Sequence, residues 1–225
     1  MSTPKTVLVT GCDSGLGREF ARQYAEAGWQ VWATYRDLAN ALDAPSMQHR
    51  SLDLTRFEQM DALAAELHGT PIDLLISNAG VGNDTLTLGN LDYDHIHTML
   101  AVNLVGALRL VECLLDNIQA SRTRRIVFIS SRMGSISSNL SGGHYGYRAS
   151  KAGLNAMARS LALDLYGRGV TVANLHPGWV DTAGGSPDAP HTPQSSVAAM
   201  RATIARLGNH ETGVFLNYDG QILPW

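Results

Sequence analysis

Two tyrosines and a lysine lie close together in the segment SGGHYGYRASK, residues 141–151. Tyr147 precedes Lys151 by four residues, and Tyr145 precedes it by six. Side chains four apart share one face of a helix, whereas those six apart do not. A lysine ammonium beside a phenol lowers the pKa of the phenol, which then exchanges protons more easily near neutral pH. We therefore expect Tyr147 to act as a general acid and base, with Tyr145 as a packing residue.

Serines follow the predicted strand RRIVFIS, residues 124–130. A hydroxyl at this place can orient a substrate carbonyl and stabilise charge on its oxygen, because sites in open α/β sheets lie at strand ends. Ser131 and Ser135 are both candidates for this role, although serines at the start of a loop are also frequent turn formers. Asn103 interrupts the predicted helix MLAVNLVG, where asparagine is a poor helix former. It has either a functional role or the simpler one of a satisfied buried amide.

Three glycines follow the first predicted strand in the segment TGCDSGLGREFA, residues 10–21. Gly11, Gly15 and Gly17 lie between a strand and a helix, which is the context of a nucleotide-binding turn. Glycines let the turn tighten and let backbone N–H groups approach a pyrophosphate at the positive end of the helix. The alternative is a set of turn and packing glycines without a ligand. Their position after the first strand of an α/β chain favours the nucleotide.

The end of the second predicted strand, ATYRD at 33–37, selects between two cofactors. An NAD site usually places an acidic side chain there, whereas an NADP site places a cation for the 2′-phosphate. Tyr35 takes the acidic position and Arg36 follows it, and a guanidinium matches phosphate geometry. We therefore expect NADP(H). NAD(H) stays open because Asp13 and Asp37 would repel a phosphate, and because Arg36 has the alternative role of a solvated loop residue.

Short β-branched runs alternate with longer amphipathic segments along the whole chain. Strands are predicted at 5–10, 30–35, 73–77, 124–130, 170–175 and 213–217, and helices at 16–28, 55–68, 92–119, 148–167 and 194–207. This alternation is typical of α/β proteins. It predicts a single domain over residues 1–225, with a Rossmann-type, doubly wound, mainly parallel sheet of about seven strands between two layers of helices. Prolines and glycines predict an irregular loop at 182–196, a candidate substrate lid.

The overall composition argues against several classes of partner. The 225 residues carry 17 basic and 20 acidic side chains, a formal charge of -3, without a basic block of the kind that binds nucleic acid. No segment approaches the roughly 18 apolar residues that span a bilayer, and the N-terminus lacks a signal-peptide core, so we expect a cytoplasmic protein without a membrane segment. Cys12 and Cys113 are expected to be small buried residues, and the scattered histidines predict no metal site.

Together these residues resemble the classical short-chain dehydrogenase/reductase family, whose motifs occur here in family order. The matching segments are TGxxxGxG at 10–17, Asp53, SNAG at 77–80, Asn103, Ser131, YxxxK at 147–151 and HPGWVDT at 176–182. The sequence of residues 142–156 and the C-terminal NYDG and PW segments resemble the short carbonyl-reductase branch that includes C-factor and sniffer-type proteins. Each motif alone is a weak signal, but their joint occurrence in order is strong.

The resemblance implies a role for each matching residue. In the family the second serine of SSxxG orients the substrate, which corresponds to Ser131; the gap to Tyr147 is a few residues longer than usual, so Ser135 stays open. Lys151 would also bind the nicotinamide ribose, and Asn103 would lie in a kinked helix whose free carbonyl holds a relay water. Asp53 would bind the adenine, or else cap a helix. The implied cofactor contacts are Gly11, Asp13, Ser14, Gly15, Leu16, Gly17, Arg36, Asp53, Leu54, Asn78, Ala79, Gly80, Tyr147, Lys151, Pro177, Gly178, Val180 and Thr182.

The sequence thus predicts an NADP(H)-dependent oxidoreductase that reduces an aldehyde or ketone to an alcohol, or catalyses the reverse, by hydride transfer. The expected catalytic residues are Ser131, Tyr147, Lys151 and Asn103. From the resemblance we expect a small-molecule substrate and a homodimer or homotetramer, with the helix over 99–115 at a subunit contact. Two alternatives stay open: an NAD(P)-binding signalling or sensor protein with little turnover, and an NAD-dependent alcohol dehydrogenase of the same fold.

Overall fold

Seven parallel strands form one sheet in the order β3-β2-β1-β4-β5-β6-β7. The structure is a computed structural model, and it describes residues 4–42, 44–82, 87–181 and 188–225. The strands are β1 Thr6–Val9, β2 Gln30–Tyr35, β3 Met47–Ser51, β4 Leu74–Ser77, β5 Arg125–Ile129, β6 Thr171–His176 and β7 Val214–Asn217. The strand order reverses between β1 and β4, so the predicted Rossmann-type sheet is confirmed.

The strand that the sequence pattern does not reveal is β3. Its segment MQHRS lies at the edge of the sheet and pairs only with β2. Met47 is buried, but the next three residues are half-buried polar side chains. Central parallel strands have continuous apolar runs because both faces are covered, and an edge strand does not need one.

The described residues contain six α-helices, which cover both faces of the sheet. They are α1 Gly15–Glu26, α2 Phe57–Glu66, α3 Tyr93–Leu100, α4 Ala107–Ala120, α5 Tyr145–Leu165 and α6 Pro193–Arg206. A π-helical turn, Ala101–Gly106, separates α3 from α4, where the sequence predicts one helix. The predicted irregular loop ends earlier than expected, because Pro193 suits the first position of α6 and the Thr192 hydroxyl caps that helix.

Two apolar clusters fill the space between the sheet and the helices, one on each face. Val7 and Val9 of β1 belong to the cluster under α1 and α6, and Leu8 belongs to the cluster under α2, α4 and α5. Successive strand residues point to opposite faces, so a strand covered on both sides is apolar throughout. All four residues of β1 are buried accordingly.

The helical run from Tyr93 to Ala120 is apolar and long enough to cross a membrane by length and composition alone. An 18-residue window in it has a mean hydropathy of 1.7, which is more apolar than we expected of any segment, and 39% of that window is buried inside the protein. Leu110, Leu114 and Ile118 of α4 lie in the core against the sheet. Part of the hydropathy therefore belongs to the packing of the domain itself.

The two cysteines occupy different environments. Cys12 is fully buried behind the glycine turn, and burial raises the pKa of its thiol. Cys113 is half-exposed on α4, where its thiol donates to Asp61 Oδ1 at 3.4 Å. The expectation of a buried residue is confirmed for Cys12 and wrong for Cys113, because position 113 lies at the margin between α4 and α2.

Candidate active site

The candidate catalytic side chains lie at the carboxyl ends of neighbouring strands. Ser131 follows β5, the glycine turn follows β1, and residues 78–80 follow β4. Tyr147 and Lys151 come from the first two turns of α5, which packs against the segment after β5. Because β1, β4 and β5 are adjacent in the sheet, these segments meet where the strand order reverses.

Ser131 and Tyr147 are in direct hydrogen-bond contact. The Ser131 hydroxyl donates to the phenol oxygen of Tyr147 and accepts from the backbone N–H of Met133 at 3.1 Å. The second bond caps a 3-10 turn, Arg132–Gly134, and holds the serine in place. Two hydroxyls joined in this way can bind one carbonyl oxygen between them.

Lys151 is buried without an ion-pair partner among the residues described. It is 5% exposed, and its ammonium donates to the Ile129 carbonyl at 2.9 Å. The ammonium lies 5.8 Å from the centre of the Tyr147 ring. Burial lowers the pKa of Lys151 to about 8. An ammonium has three donors, so further hydrogen bonds to hydroxyl groups would stabilise its charged form.

The pKa of Tyr147 is raised in this structure. Burial is the largest cause, and the hydrogen bond from Ser131 opposes it. The sequence predicts a lowered pKa from the charge of Lys151, and this expectation is wrong. The ammonium is bonded to the Ile129 carbonyl, and the shift in the pKa of Tyr147 comes from burial and from the Ser131 hydroxyl. Tyr147 is therefore in its acid form at neutral pH.

Asn103 lies in the π-helical turn and is 1% exposed. Its Oδ1 accepts from the N–H of Val81 at 2.7 Å, and its Nδ2 donates to the Val81 carbonyl at 2.8 Å and to Ser150 Oγ at 2.9 Å. The irregular helix that the family resemblance implies is thus present. The side chain is at the same time a satisfied buried amide, which joins the loop after β4 to α5.

Gly80 and Gly82 have no side chains, and this leaves room for Asn103, Lys151 and Tyr147 to come close to the loop after β4. A Cβ on Gly80 would lie 3.1 Å from Asn103 Oδ1 and 3.5 Å from Lys151 Nζ. A Cβ on Gly82 would lie 3.3 Å from the Tyr147 ring. Gly82 is not among the residues predicted from the sequence, and its signal there is its place two residues after the SNAG segment. The backbone of Gly82 therefore lies against this side of the tyrosine ring.

Ser135 is bonded to the surrounding structure and does not reach Tyr147. Its hydroxyl is buried, donates to the Trp225 carbonyl at 2.9 Å and receives the N–H of Ser138 at 3.1 Å. The Trp225 carbonyl also accepts from the N–H of Ile136 at 2.6 Å. Trp225 thus holds the loop that follows Ser131, and the geometry favours Ser131 over Ser135 as the substrate-orienting hydroxyl.

Asn155, a buried amide that was not predicted from the sequence, holds the segment 130–134 in place. Asn155 accepts from Ser130 Oγ at 2.7 Å and from Asn174 Nδ2 at 3.1 Å, and it donates to the Gly134 carbonyl at 3.3 Å. These bonds join α5, β5 and β6. The signal for this residue is its spacing, four after Lys151 on the same helical face.

The glycine turn is held by close backbone packing. Gly11 and Gly15 have φ angles of +71° and +54°, which other residues rarely adopt. A Cβ on Gly17 would overlap the carbonyl oxygen of Gly11. Asn78 donates to the carbonyls of Thr10 and Gly11 at 2.9 and 3.2 Å, so it locks the turn onto β4. The packing role of these glycines is therefore real.

The N-terminus of α1 can nevertheless receive an anion. Ser14 is its N-cap residue and makes no side-chain capping bond, and the first turn contains no acidic residue. Gly15 and Leu16, at the start of the helix, are partly exposed. The first N–H groups of a helix lack intrahelical partners and carry the positive end of its dipole, which suits a pyrophosphate.

Arg36 is exposed after β2, and its guanidinium has no hydrogen bond or ion pair among the described residues. The carboxylate of Asp13 accepts from the backbone N–H groups of Arg36 and Asp37 at 3.0 to 3.1 Å. The carboxylate of Asp37 accepts from the N–H of Ala39 at 2.9 Å. Both acids therefore hold the loop that presents Arg36.

Tyr35 does not take the position that the sequence gives it. Its side chain is fully buried, and its hydroxyl lies 3.2 Å from Nδ1 of His49. Strand alternation turns it into the core, away from any cofactor. A cation that the sequence analysis missed lies nearby: Arg18 is exposed on α1 and donates to the Asn40 carbonyl at 3.1 Å. Its signal is its place directly after Gly17.

Asp53 and Leu54 follow β3. Asp53 Oδ1 accepts from the N–H of Thr55 at 2.9 Å and from its hydroxyl at 2.7 Å, which lowers the pKa of Asp53. The N-cap of α2 is Arg56, so the helix-cap alternative for Asp53 is wrong, and the residue forms a local turn instead. Leu54 is buried, with its backbone packed against Gly106.

The segment after β6 is fixed against α6. Gly178 has a φ angle of +84°, and the Pro177 carbonyl accepts from Ser196 Oγ at 2.6 Å. Val180 is buried and pairs with His191. Thr182 lies outside the described residues, as do residues 183–187 of the predicted substrate loop.

The donor groups of the site fit a nicotinamide dinucleotide. A helix N-terminus without acidic residues suits the pyrophosphate, and an exposed arginine pair suits an additional phosphate. A buried lysine with a single carbonyl partner beside a half-buried tyrosine suits hydroxyl ligands, such as those of a ribose. No group of three or more His, Cys, Asp or Glu able to hold a metal occurs in the described part of the chain.

Residues 5–191 match the family model described as short chain dehydrogenase. The chain belongs to the short-chain dehydrogenase/reductase family. One relative, the C-signal protein of Myxococcus xanthus, is 39% identical over 166 residues, which are 74% of this chain and 100% of that protein.

Two solved structures are similar over essentially the whole chain. The carbonyl reductase Sniffer of D. melanogaster superposes with a TM-score of 0.91 at 29% identity, covering 99% of this chain and 100% of that one. The NADPH-bound carbonyl reductase from chicken fatty liver gives a TM-score of 0.90 at 28% identity, covering 100% of both chains. The protein is therefore a nicotinamide-binding oxidoreductase with the Rossmann-type fold of this family.

Proposed function

We propose that this protein is an NADP(H)-dependent carbonyl reductase in which Tyr147 is the general acid and base. The observation that carries the proposal is the hydrogen-bonded pair of Ser131 and Tyr147 beside the buried Lys151. Bound NADPH would supply the hydride. The similarity of this protein to two carbonyl reductases supports the same substrate class, aldehydes and ketones.

Tyr147 supplies the proton. Reduction of a carbonyl leaves negative charge on oxygen, which needs a proton as the hydride reaches carbon. The phenol holds that proton at neutral pH because burial raises its pKa. Ser131 is bonded to the phenol oxygen and can turn its own O–H toward the substrate oxygen, which places the carbonyl next to the acid.

Lys151 supplies a positive charge at neutral pH and donors that can bind hydroxyl groups. With a pKa of about 8 it is charged at neutral pH, so it favours the phenolate that Tyr147 becomes after it gives up its proton. Asn103 positions the loop after β4 through its bonds to Val81, and it holds Ser150 next to Lys151. In alcohol oxidation the same groups act in reverse, with Tyr147 as the base.

NADP(H) is the cofactor that the charges favour. Arg36 and Arg18 are exposed after β2 and on the first turn of α1, while the carboxylates of Asp13 and Asp37 are engaged by backbone N–H groups. The similar chicken enzyme is NADPH-bound. An NAD-dependent alcohol dehydrogenase is the alternative, and comparison of NADPH with NADH binding by calorimetry distinguishes the two.

Replacement of Tyr147 by Phe tests the proposal. We expect turnover of a panel of aldehydes, ketones and quinones to fall by about 10² to 10⁴, because the general acid is lost. NADPH affinity should stay within about twofold, since the ring remains and only one hydroxyl is removed. The matched control is Tyr145→Phe, on the same helix turn and six residues from Lys151, which should keep full turnover. A Tyr147→Phe enzyme with more than a tenth of the original kcat would disprove the assignment.

A second function is favoured by the identity with the C-signal protein. We also consider an NAD(P)-binding signalling protein with little turnover. Tight NADPH binding together with no oxidation of NADPH by the whole carbonyl panel would support this alternative. Measurable turnover that depends on Tyr147 would exclude it.

We further propose a homodimer or homotetramer with α3 and α4 at the contact. The apolar run Tyr93–Ala120 has less than half of its most apolar window buried inside one chain, and Val105 is 48% exposed on it. Large exposed apolar surfaces commonly mark protein contacts. Light scattering of the purified chain measures the oligomeric state directly.

A further inference from the structure

A cavity of about 720 Å³ opens at the amino ends of the strands, at the end of the sheet opposite to the candidate active site. Its walls come from residues that precede or begin four strands, among them Lys5, Trp29, Leu74 and Arg125, and from the facing sides of α1 and α6. Small-molecule sites typically measure about 300 to 1,000 Å³. Carbonyl reduction as proposed above uses none of these residues.

Positive charge is concentrated around this cavity. The lining includes Lys5, Arg122, Arg125 and Arg201, and it includes no Asp or Glu among the described residues. The chain as a whole is acidic, with 17 basic and 20 acidic residues, so the cavity departs from the average of the protein. Four like charges around one small volume repel each other, and a bound anion would relieve that repulsion.

The two inner arginines lack ion pairs within the described residues. Arg201 lies over the Tyr24 ring at 4.6 Å and donates to Gln23 Oε1 at 3.1 Å, while its Nε is buried without a hydrogen-bond partner. Arg125 is half-buried at the start of β5, and burial lowers the pKa of its guanidinium. At the rim, Lys5 is exposed over the Trp29 ring.

The nearest carboxylates are engaged elsewhere. Asp73 accepts from one backbone N–H and two hydroxyls at 2.7 to 3.1 Å. Glu19 pairs with Arg22 and accepts from a glutamine side chain. Glu211 interacts with Arg125 only by long-range electrostatic attraction, and Glu19 interacts with Arg201 in the same way. These acids reduce the local charge in part, but none of them occupies the cavity.

The geometry points to a binding site for a small, multiply charged anion of the phosphate-ester class at the amino end of the sheet. Guanidinium groups match phosphate oxygens with paired N–H donors. Arg125 and Arg201 form no ion pair within the described residues, and the buried Nε of Arg201 has no hydrogen-bond partner. The donor groups of Gln23 and Thr123 are engaged by Glu19, the Gln194 carbonyl and Asp73, so the cations carry the recognition. The rings of Tyr24 and Trp29 form part of the wall. Because the site lies at the far end of the sheet, such a ligand would bind together with the nicotinamide cofactor.

Isothermal titration of the full chain with inorganic pyrophosphate, at low ionic strength and with NADPH present, tests this site. We expect one pyrophosphate per chain and at least about a tenfold loss of affinity for each inner arginine removed, as in Arg125→Gln and Arg201→Gln. Arg168→Gln is the matched control, an exposed cation outside the cavity, and it should bind as the unmodified chain does. Equal affinity in the arginine variants and the control would overturn the proposal.

Two further titrations, one with a double variant and one with a second ligand, test the location of the site and the class of its ligand. Lys5→Gln combined with Arg122→Gln removes only exposed rim charges, so folding is preserved, and we expect a loss of about threefold with a weaker dependence on salt. Citrate is the comparison ligand, and citrate binding more tightly than pyrophosphate would overturn the phosphate class. No arm measures turnover, so failure here leaves the carbonyl reductase proposal intact, and an inactive enzyme leaves this site testable.

Discussion

At the carboxyl end of the sheet, a single lysine is buried, and its ammonium meets one backbone carbonyl. At the amino end, four cations surround an open cavity, and two of them are exposed at its rim. Burial lowers the pKa of Lys151 to about 8, so the lysine loses its charge at mildly alkaline pH. Arginine stays protonated in proteins, so the charge of the amino end is permanent.

The difference shows how one sheet produces two kinds of cationic site. A buried lysine responds to its surroundings, which suits chemistry in which a neighbouring phenol gains and loses a proton. Partly solvated arginines attract anions without changing their own state, which suits binding. Variants at the carboxyl end should therefore alter turnover, and matched variants at the amino end should not.

Among the variants that compare the two ends of the sheet, Lys151→Met should have the largest effect. We expect kcat to fall by at least about a hundredfold, because the charge that favours the phenolate is removed. The same change should raise the free energy of unfolding at pH 7 by roughly 1 to 3 kcal/mol, since an unpaired buried ammonium is replaced by an apolar chain of similar length. Thermal unfolding and steady-state kinetics measure both effects.

The pH dependence of stability follows from the same pKa. Lys151 has a folded pKa of about 8 against an ordinary value of 10.5, so between these values the unfolded chain binds more protons than the folded chain. The unmodified protein should therefore gain stability relative to Lys151→Met as pH rises from about 8 to 10.5. Arg125→Met at the amino end should show neither the kinetic loss nor this rise. A Lys151→Met protein less stable than the original at pH 7 would contradict the account.

Replacement of Asn103 by Ala compares two buried amides at opposite ends of the sheet. Asn103 holds Val81, and Asn117 donates to the carbonyls of Leu67 and Thr70 at 2.6 and 2.9 Å. Each Ala variant should lose about 1 to 3 kcal/mol of stability, because buried backbone groups lose their partners. Only Asn103→Ala should lose kcat as well, by about tenfold or more, since it displaces the loop beside Tyr147. Equal kcat values in the two variants would show that Asn103 has no role in catalysis beyond stabilising the fold.

Replacement of Arg36 by Gln tests an exposed cation at the carboxyl end. We expect KM for NADPH to rise by about tenfold and KM for NADH to stay constant, because only NADPH carries the additional phosphate. The value of kcat at saturation should change little. Arg122→Gln, a rim cation at the amino end, is the control and should leave both KM values unchanged. An equal rise in both KM values would mean that Arg36 has a structural role.

Replacement of Ser135 by Ala should have the smallest effect and separates chemistry from structure within the carboxyl end. The lost hydrogen bond to the Trp225 carbonyl should cost about 1 kcal/mol, seen as a lower Tm. We expect kcat to stay within about twofold, whereas Ser131→Ala should lower it by about a hundredfold. The reverse order of the two kcat values would assign the substrate-orienting role to Ser135.

The sequence is sufficient to predict features that depend on neighbours along the chain. Periodic apolar runs predict six strands and the parallel sheet, and the four-residue spacing predicts that Tyr147 and Lys151 share a helical face. Glycines after β1 predict the turn, which the φ angles of Gly11 and Gly15 confirm. Each of these depends on local geometry, which a short segment encodes by itself.

Features that depend on distant contacts were not accessible in this way. The choice between Ser131 and Ser135 depends on Trp225, which is 90 positions from Ser135. The pKa of Tyr147 depends on how deeply the fold buries the phenol, which spacing does not reveal. Tyr35 was misplaced because the alternation of β2 turns it inward, and β3 was missed because an edge strand needs few apolar residues.

The π-helical turn Ala101–Gly106 joins α3 to α4. Before it, α3 packs against α5, and after it, α4 packs against the sheet and α2. The hydrogen bonds of this turn run from residue i to i+5, so it holds about one residue more than an α-helical turn. Removal of one residue would let the segment close into a regular α-helix, with Leu110 and Leu114 of α4 still facing the core. The additional residue therefore serves the position of Asn103 against Val81 and not the packing of α4, so a single deletion here should lower kcat much more than it lowers stability.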